Sequence, residues 1–381
     1  MERLLSLWIE RQTHERIPTS QLLIQEKAKS LFQDLLKKYP EDKDTTFLAS
    51  SGWFACFKRH FSLHNIKIQG EAAAADTVAA EVFPATLKKI IEDEGFSPEQ
   101  IFNVDETGLF WKEMPDRSFI SKEVKTMQGY KVAKERLTLM LGGNCTDDFK
   151  LKPLLVYHAA NPRALENIPK ASLPIIWMNN MKAWVTIIIF GEWFINHFIP
   201  AVKSYCREKK IQCKLLLILD NAPGHPTNLS DFDPNVKVVY LQPNTTSLIQ
   251  PMDQGVIALF KCYYLRRTLR QAVDATSEEE GINIRKFWKN YNIYQAVLNI
   301  NAAWLEVTQS AMDGVWKRLC PHLVNDFTGF DAPVKAVSKN LVSLSADLEM
   351  ELEEEDFDGL IEADKQPLTL TNRELFTLMR T

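Results

Sequence analysis

At 381 residues the chain is too long for one small domain and long enough for two or three, and its 45% apolar content with nine tryptophans supports a large packed core. A formal net charge of −4 does not mark the chain as a whole as a nucleic-acid binder, and six cysteines without a Cys-x-x-Cys pair exclude a zinc ribbon and fit a reducing compartment. Glu2, Arg3 and Glu10 inside a short apolar pattern exclude a signal peptide, and the longest apolar stretch, residues 184–190, is far too short for a bilayer, so a soluble intracellular protein is expected.

Residues 1–70 read as helical. Leu4, Leu7, Trp8 and Ile17 precede Pro18; Ser20 can cap a helix in which Leu22, Leu23, Ala28, Leu31, Phe32, Leu35 and Leu36 recur at helical spacing, and Pro40 with the charged residues 41–44 ends it. A third helix starts at Ser51. Its Trp53, Phe57 and Phe61 are spaced by four and form an apolar stripe, with Lys58, Arg59 and His60 beside it. This region holds 11 Lys/Arg against 8 Asp/Glu, a local excess of positive charge in a negative protein. Three short helices with a basic last one suit a helix-turn-helix module reading the major groove, and equally suit a plain three-helix domain with a solvated charged face.

Residues 71–86, with a run of four alanines after Glu71, read as a linker or linking helix, and a helix continues over 87–94 up to Gly95. Beyond it strands and helices alternate. Strands are expected over 102–105, 136–141 and 152–157, the last two forming a hairpin across residues 144–150, given the preceding Gly142-Gly143 and the Asn and Asp-Asp of the turn. Residues 161–183, with prolines at 162, 169 and 174, read as an insertion over the sheet. An amphipathic helix over 192–206, a five-residue apolar strand ending at Asp220, a strand over 236–241 and a helix from about Asp253 to Val273 follow. Together these make an α/β layer built on a mixed sheet with flanking helices. Domain limits are expected at 1–70, 71–86, 87–275, 276–330 and 331–381. Trp288, Trp304 and Trp316 are core candidates of the helical stretch 284–319, and residues 347–364 carry ten acidic residues and no basic one, a solvated acidic helix or tail.

Three aspartates stand out. Asp105 and Asp220 end predicted strands, and Asp253 opens a helical stretch. Carboxylates converging at one sheet rim suit hard divalent cations, which take oxygen ligands; strand-end aspartates also cap turns, and residues 220–224 make a reasonable Asx-turn in any protein. Glu106 is a candidate fourth ligand that strand alternation points the other way. His225 can position a water or a phosphate, but fits better as a partner of the turn. The hydroxyls of residues 243–247 fit helix capping better than DNA contact. Lys261, Arg266, Arg267 and Arg270 form a basic stripe that suits phosphates or plain solvent. No dinucleotide fingerprint, Walker loop or nucleophile elbow is present.

Six blocks in order resemble the Tigger branch of pogo-type transposases, kin to the Jerky proteins and centromere protein B: residues 103–111, 136–139, 152–158, 161–165, 219–225 and 250–255. The resemblance spans roughly residues 1–330. It implies a DDE catalytic domain of the RNase H-like fold, with Asp105, Asp220 and Asp253 as the metal-binding catalytic acids. It further implies Mg²⁺ or Mn²⁺ as a two-ion cofactor, double-stranded terminal-inverted-repeat DNA as partner, and a nuclear location; a homodimer is also expected, with no membrane and no small-molecule cofactor.

Residues 52–54, 57–58 and 63–66 are similar to the second half of the centromere-protein-B-type DNA-binding region, with Lys58, Arg59, His60 and Lys67 as expected DNA contacts. Relatives carry a further helix-turn-helix ahead of this one, and Cys56 stands where a basic residue is common, so weaker DNA binding by this chain alone is expected; the C-terminus also stops early, as in a truncated or decayed copy. The leading expectation is a transposase-derived DNA-binding protein. The alternatives are a metal-dependent strand-cleaving and strand-transfer enzyme, and an interaction scaffold built on the acidic tail.

Overall fold

The computed structural model describes residues 1–14, 17, 19–38, 46–63, 75–112, 135–146, 148–278, 284–308, 315–323, 337 and 339–343. Lys67 and the acidic run 347–364 lie outside them. The chain divides into two compact units, Met1–Ala74 and Ala75–Thr381.

The first unit contains α1 (Glu2–His14), α2 (Gln21–Lys38) and α3 (Ser51–His60). Leu5, Ile9, Ile24, Ala28, Phe54 and Phe57 form its core. The helical pattern of α2 is thus shifted from the one the leucines suggest: Leu22 and Leu23 are exposed, and Ile24 and Ala28, four apart, point inward. The aromatic stripe of α3 is present as a stack, with Trp53 and Phe57 rings 5.4 Å apart and Phe57 and Phe61 rings 4.8 Å apart. The third helix starts at Ser51, as expected, and Ser50 caps it by accepting the Trp53 N–H.

The second unit opens with α4 (Thr77–Glu94). Residues 77–86, expected as a linker or linking helix, are its first half. Asp76 caps it by accepting the Ala79 N–H, Gly95 ends it in the left-handed conformation, and Ala80, Phe83, Leu87 and Ile91 bury one face. A six-stranded sheet follows, built from β1 (Ile101–Phe110), β2 (Arg136–Asn144), β3 (Leu154–Tyr157), β4 (Ile176–Asn179), β5 (Leu215–Leu219) and β6 (Val236–Tyr240). Its order is β4-β3-β2-β1-β5-β6. The β1–β2 and β2–β3 pairs are antiparallel, and the β1–β5, β5–β6 and β3–β4 pairs are parallel. The expected hairpin and the mixed sheet with flanking helices are both present.

Three elements differ from the sequence reading. β1 is ten residues long, so Asp105 lies in mid-strand and not at a strand end. The insertion contributes edge strand β4, whose short Ile-Trp-Met-Asn sequence lies among proline-rich turns that mask its periodicity. The long helix starts at Ile187: α5 (Ile187–Trp193) leads through a π-helical turn, Phe194–Phe198, into α6 (Ile199–Lys209). Pro200, without an N–H to donate, sits where the turn widens.

Alternation along the strands divides the core. Ile101, Leu109, Leu137 and Leu139 face a layer holding Leu87 of α4 and Phe260, Trp288 and Trp304 of the later helices α8 (Val256–Glu278), α9 (Ile284–Asn290) and α10 (Ile293–Glu306). Phe102, Val104, Met140 and Val156 face Phe190, Phe194 and Phe198 on the other side. Trp288, Trp304 and Trp316 are all buried, as expected. Lys150 closes the end of α10 by donating to the Trp304 and Val307 carbonyls at 2.9 and 2.8 Å.

At the β2–β3 connection, Asp148 accepts hydrogen bonds from Asn144 Nδ2 (2.7 Å), Thr146 Oγ1 (2.9 Å) and Tyr205 Oη (2.6 Å), and pairs with Lys209. Burial opposes its ionisation, but the Asn144, Lys209 and Tyr205 bonds win and hold the carboxyl well below the usual range. A depressed folded value contributes stability above the unfolded value of about 3.9, lost as pH falls through the folded one. Asp148→Asn is therefore expected to cost about 2–3 kcal/mol at pH 7, and to lose less than wild type on acidification, measured by urea unfolding at pH 7 and pH 3.

Candidate functional site

The parallel register of β1 on β5 pairs Ile101 with Leu216, Phe102 with Leu217 and Asn103 with Ile218. Extended two residues, it sets Asp105 level with Asp220, one strand spacing (about 4.8 Å) away. The third acid arrives differently. After α7 (Thr246–Ile249), a single 3₁₀ turn, Met252–Gln254, carries Asp253, and Gly255 at φ 121° redirects the chain into α8. Asp253 thus sits on the turn ahead of the helix it was expected to open. Thr245 does not cap α7 with its side chain; its hydroxyl donates to the Gln242 carbonyl at 2.7 Å.

Asn103 holds these pieces in place. It is fully buried, on the same face of β1 as Asp105. Its Nδ2 donates to the Ile218 carbonyl at 2.9 Å, and its Oδ1 accepts the Met252 N–H at 3.1 Å. One amide therefore ties the strand of Asp105 to the strand before Asp220 and to the turn of Asp253. Asn103 opens the block 103–111, and an Asn two residues before an Asp in an apolar strand is the sequence signal of this role.

Asp105 is 6% exposed and accepts the Glu106 N–H at 2.8 Å. Burial, then the charges of Asp253, Asp220 and Glu106, and a side-chain hydrogen bond with Asp253 push its carboxyl well above the usual carboxylate range. Asp253 and Asp220 are thus close enough to Asp105 to perturb it. Carboxylates assembled at this electrostatic cost form a donor set that a hard cation would relieve.

Glu106 points to the opposite face of β1, as alternation requires. There it meets His225, whose Nε2 lies 3.0 Å from Glu106 Oε1 and whose Nδ1 lies 2.8 Å from Asp220 Oδ1 and 3.1 Å from the Asp220 carbonyl. His225 packs tilted against Phe190, with ring centroids 4.5 Å apart. Burial would lower its pKa, but the charge of Glu106 and the bonds to Asp220 and Glu106 outweigh it, pushing the imidazole up to about 11. His225 therefore bonds the turn, as favoured from sequence, and also bridges two carboxylates, which sequence spacing does not reveal. The Asx-turn reading holds as well, since Asp220 Oδ1 accepts the Ala222 N–H at 3.3 Å. Ligand atoms of Glu106, Asp220 and His225 all lie within 4.8 Å of one another. Both His225 nitrogens are engaged by carboxylates, so the trio acts as a clamp on Asp220.

His225→Gln is expected to destabilise the second unit by about 3 kcal/mol, because it leaves the largely buried Glu106 without its cationic partner. Glu106→Gln added to it should restore part of the loss, which a double-mutant cycle in urea would measure.

In the first unit, Lys58, Arg59 and His60 occupy the last turn of α3, where cations complement the helix dipole. Lys58 lies over the Phe54 ring at 5.5 Å, and Arg59 is exposed. His60 Nδ1 lies 3.8 Å from Glu2 Oε2, while the other oxygen of Glu2 accepts the Trp53 indole N–H at 2.8 Å. Glu2 thus fixes α3 to α1 and lies beside the exposed His60. In the second unit, the basic stripe of α8 is partly neutralised: Arg266 and Arg267 both pair with Glu306.

The chain thus pairs a helical unit with a basic last helix with a second unit whose mixed sheet carries clustered acids. Residues 1–68 match the Tc5 transposase DNA-binding domain, and residues 134–316 match the DDE superfamily endonuclease family. Asp220 and Asp253 lie inside the second match; Asp105 precedes it. The chain is 30% identical over 323 residues to the human Jerky protein homolog, covering 84% of this chain and 54% of that protein. It is 32% identical over 288 residues to human Tigger transposable element-derived protein 7, covering 72% of this chain and 52% of that protein. The chain is thus similar to transposase-derived proteins of the Tigger and Jerky group, and spans about half the length of these relatives. Among solved structures, the Mos1 mariner paired end complex with Mn matches at TM-score 0.38 and 11% identity, covering 83% of this chain and 79% of that one.

Proposed function

We propose that this chain is a nuclear, transposase-derived protein that contacts double-stranded DNA through α3 and holds Mg²⁺ or Mn²⁺ between Asp105, Asp220 and Asp253. The observation that carries the metal half is the raised, buried carboxyl of Asp105, crowded by Asp253 and Asp220. Such a donor set fits hard cations, with carboxylate oxygens from two adjacent strands and a neighbouring turn. When bound, such ions supply electrostatic stabilisation of a phosphodiester and activation of water. The chain's own residues do the positioning: Asn103 holds the three acid-bearing segments together, and His225 with Glu106 fixes the rotamer of Asp220. Among the described residues no helix is long and apolar enough to cross a membrane.

The test uses the full chain and inverted-repeat DNA. DNA retention in a gel-shift assay should survive Asp220→Ala, while Mn²⁺ binding, read by isothermal titration, should be lost in that variant. Nicking of the DNA by wild type above the Asp220→Ala background would extend the reading to strand cleavage. Mn²⁺ binding unchanged in Asp220→Ala would remove the metal half of the proposal.

A further inference from the structure

Strand β4 ends the sheet, and among the described residues no strand pairs with its outer side. Ile176 donates its N–H to the Pro153 carbonyl at 2.8 Å, and Asn180 donates its own to the Tyr157 carbonyl at 3.0 Å. Backbone bonds to one neighbour recur at every second residue of a strand. The bonds to β3 therefore take Ile176, Met178 and Asn180, while Trp177 and Asn179 turn their N–H and C=O groups outward. A row of such groups is a template for one more strand.

A cleft of about 420 Å³ lies against this edge, with Ile175, Ile176, Trp193, Phe198, Lys152 and Lys170 in its lining. Trp193 and Phe198 are buried, Lys152 is exposed and Lys170 is half-buried. The Lys170 ammonium lies 5.1 Å from the centroid of the Trp177 ring, and burial lowers its pKa. Lys152 and Glu192 both act on His197 nearby, yet among the described residues neither Lys152 nor Lys170 is in an ion pair.

These features ask for three parts of one occupant. The open edge needs a backbone with N–H and C=O groups of its own. The cleft needs an apolar side chain: a residue paired level with Ile176 shares its side of the sheet, which is the side of Phe198. The lysines need anions. A DNA backbone supplies anions, but neither amide N–H groups nor alternating apolar side chains. A second copy paired through its own β4 would set Lys152 and Lys170 against the same two lysines, and like charges across an interface repel. An extended acidic peptide meets all three needs.

We infer that β4 takes an additional strand from an extended partner peptide, whose apolar side chain enters the cleft at Trp193 and Phe198 and whose flanking acids meet Lys152 and Lys170. In strand addition of this kind the main-chain bonds supply affinity and the pocketed side chain supplies selectivity. Neither DNA binding nor metal binding is required for it.

The test selects a displayed library of random octapeptides on the full chain. Selected sequences are then synthesised with a fluorescein label and titrated by anisotropy. Asp and Glu should be enriched on both sides of an apolar residue. Affinity for such a peptide should fall about tenfold or more in Lys152→Glu with Lys170→Glu, and in high salt. Asn179→Pro removes an outward N–H at an exposed edge position, where proline is tolerated, and should cost about as much. N-methylating the alternate peptide amides that face β4 should weaken binding about tenfold, and N-methylating the other set should leave it nearly unchanged. Those peptides need no variant, so they decide the question even if Asn179→Pro fails to fold. An unenriched library, selected peptides without acids, affinity undiminished by the lysine changes, or equal losses from both N-methylated sets would overturn the inference. So would displacement of the peptide by duplex DNA through the same lysines, or self-association of the chain that Asn179→Pro abolishes.

Discussion

Asp105→Asn is expected to raise the stability of the cation-free protein while abolishing its stabilisation by Mn²⁺. In the folded state Asp105 is buried against Asp253 and Asp220, and its carboxyl holds a proton well above the usual range. Unfolded, it releases that proton near pH 4. The folded state therefore binds more protons between those two values, so stability falls as pH rises from about 4 through the raised value. Asn removes the ionisable group and keeps the shape, for a gain of about 1–2 kcal/mol at pH 8, or roughly 2–6 °C in Tm. Cations act the other way on wild type. They displace the proton, so Mn²⁺ should raise wild-type Tm more at pH 8 than at pH 5. Thermal melts of both proteins at the two pH values, with and without Mn²⁺, check all of this. A wild-type Tm indifferent to Mn²⁺ at pH 8, or an Asn variant that still responds, would contradict it.

Lys58→Ala with Arg59→Ala is expected to weaken DNA binding by about 10- to 100-fold near physiological salt. Both side chains sit at the end of α3; Arg59 is exposed, and Lys58 keeps part of its surface in water. If each meets one phosphate, the slope of log affinity against log salt should become shallower by about 2. His60→Ala should add little, because Glu2 already lies beside His60. Fluorescence anisotropy across a salt series separates these terms. An unchanged affinity and slope would show that α3 is not the contact.

The sheet was largely legible from sequence because its strands announce themselves. The run Leu215–Leu219 is fully buried, as a five-residue apolar stretch ending in a carboxylate suggests. The glycines and Asp-Asp turn gave the β2–β3 hairpin. β4 was hidden because four residues among prolines carry no period of their own; pairing to β3 makes it a strand. The long reach of β1 was hidden for a related reason. Polar Asp105, Glu106 and Thr107 break the apolar run, yet pairing to β2 continues as far as Phe110.

The site was legible in its acids and not in their supports. Asp105, Asp220 and Asp253 each follow a local signal, and the family resemblance picked the three out together. Their mutual approach depends on a parallel register and on the Asn103 amide, both set by tertiary packing. The Glu106–His225 bond joins residues 119 apart in sequence, and no periodicity predicts such a pair. In the first unit, aromatic spacing identified α3, whereas the buried line of α2 fell on Ile24 and Ala28 because packing against α1 and α3 chooses the face.

Anomalous diffraction from crystals of the full chain soaked in Mn²⁺, recorded beside an Asp220→Ala control, tests the shared carboxylate centre most directly. The account predicts manganese density bound by the carboxylates of Asp105 and Asp220, completed by Asp253, and absent from the control. Manganese bound elsewhere on the chain, with Asp105 still hydrogen-bonded to Asp253 as it is without the ion, would contradict it.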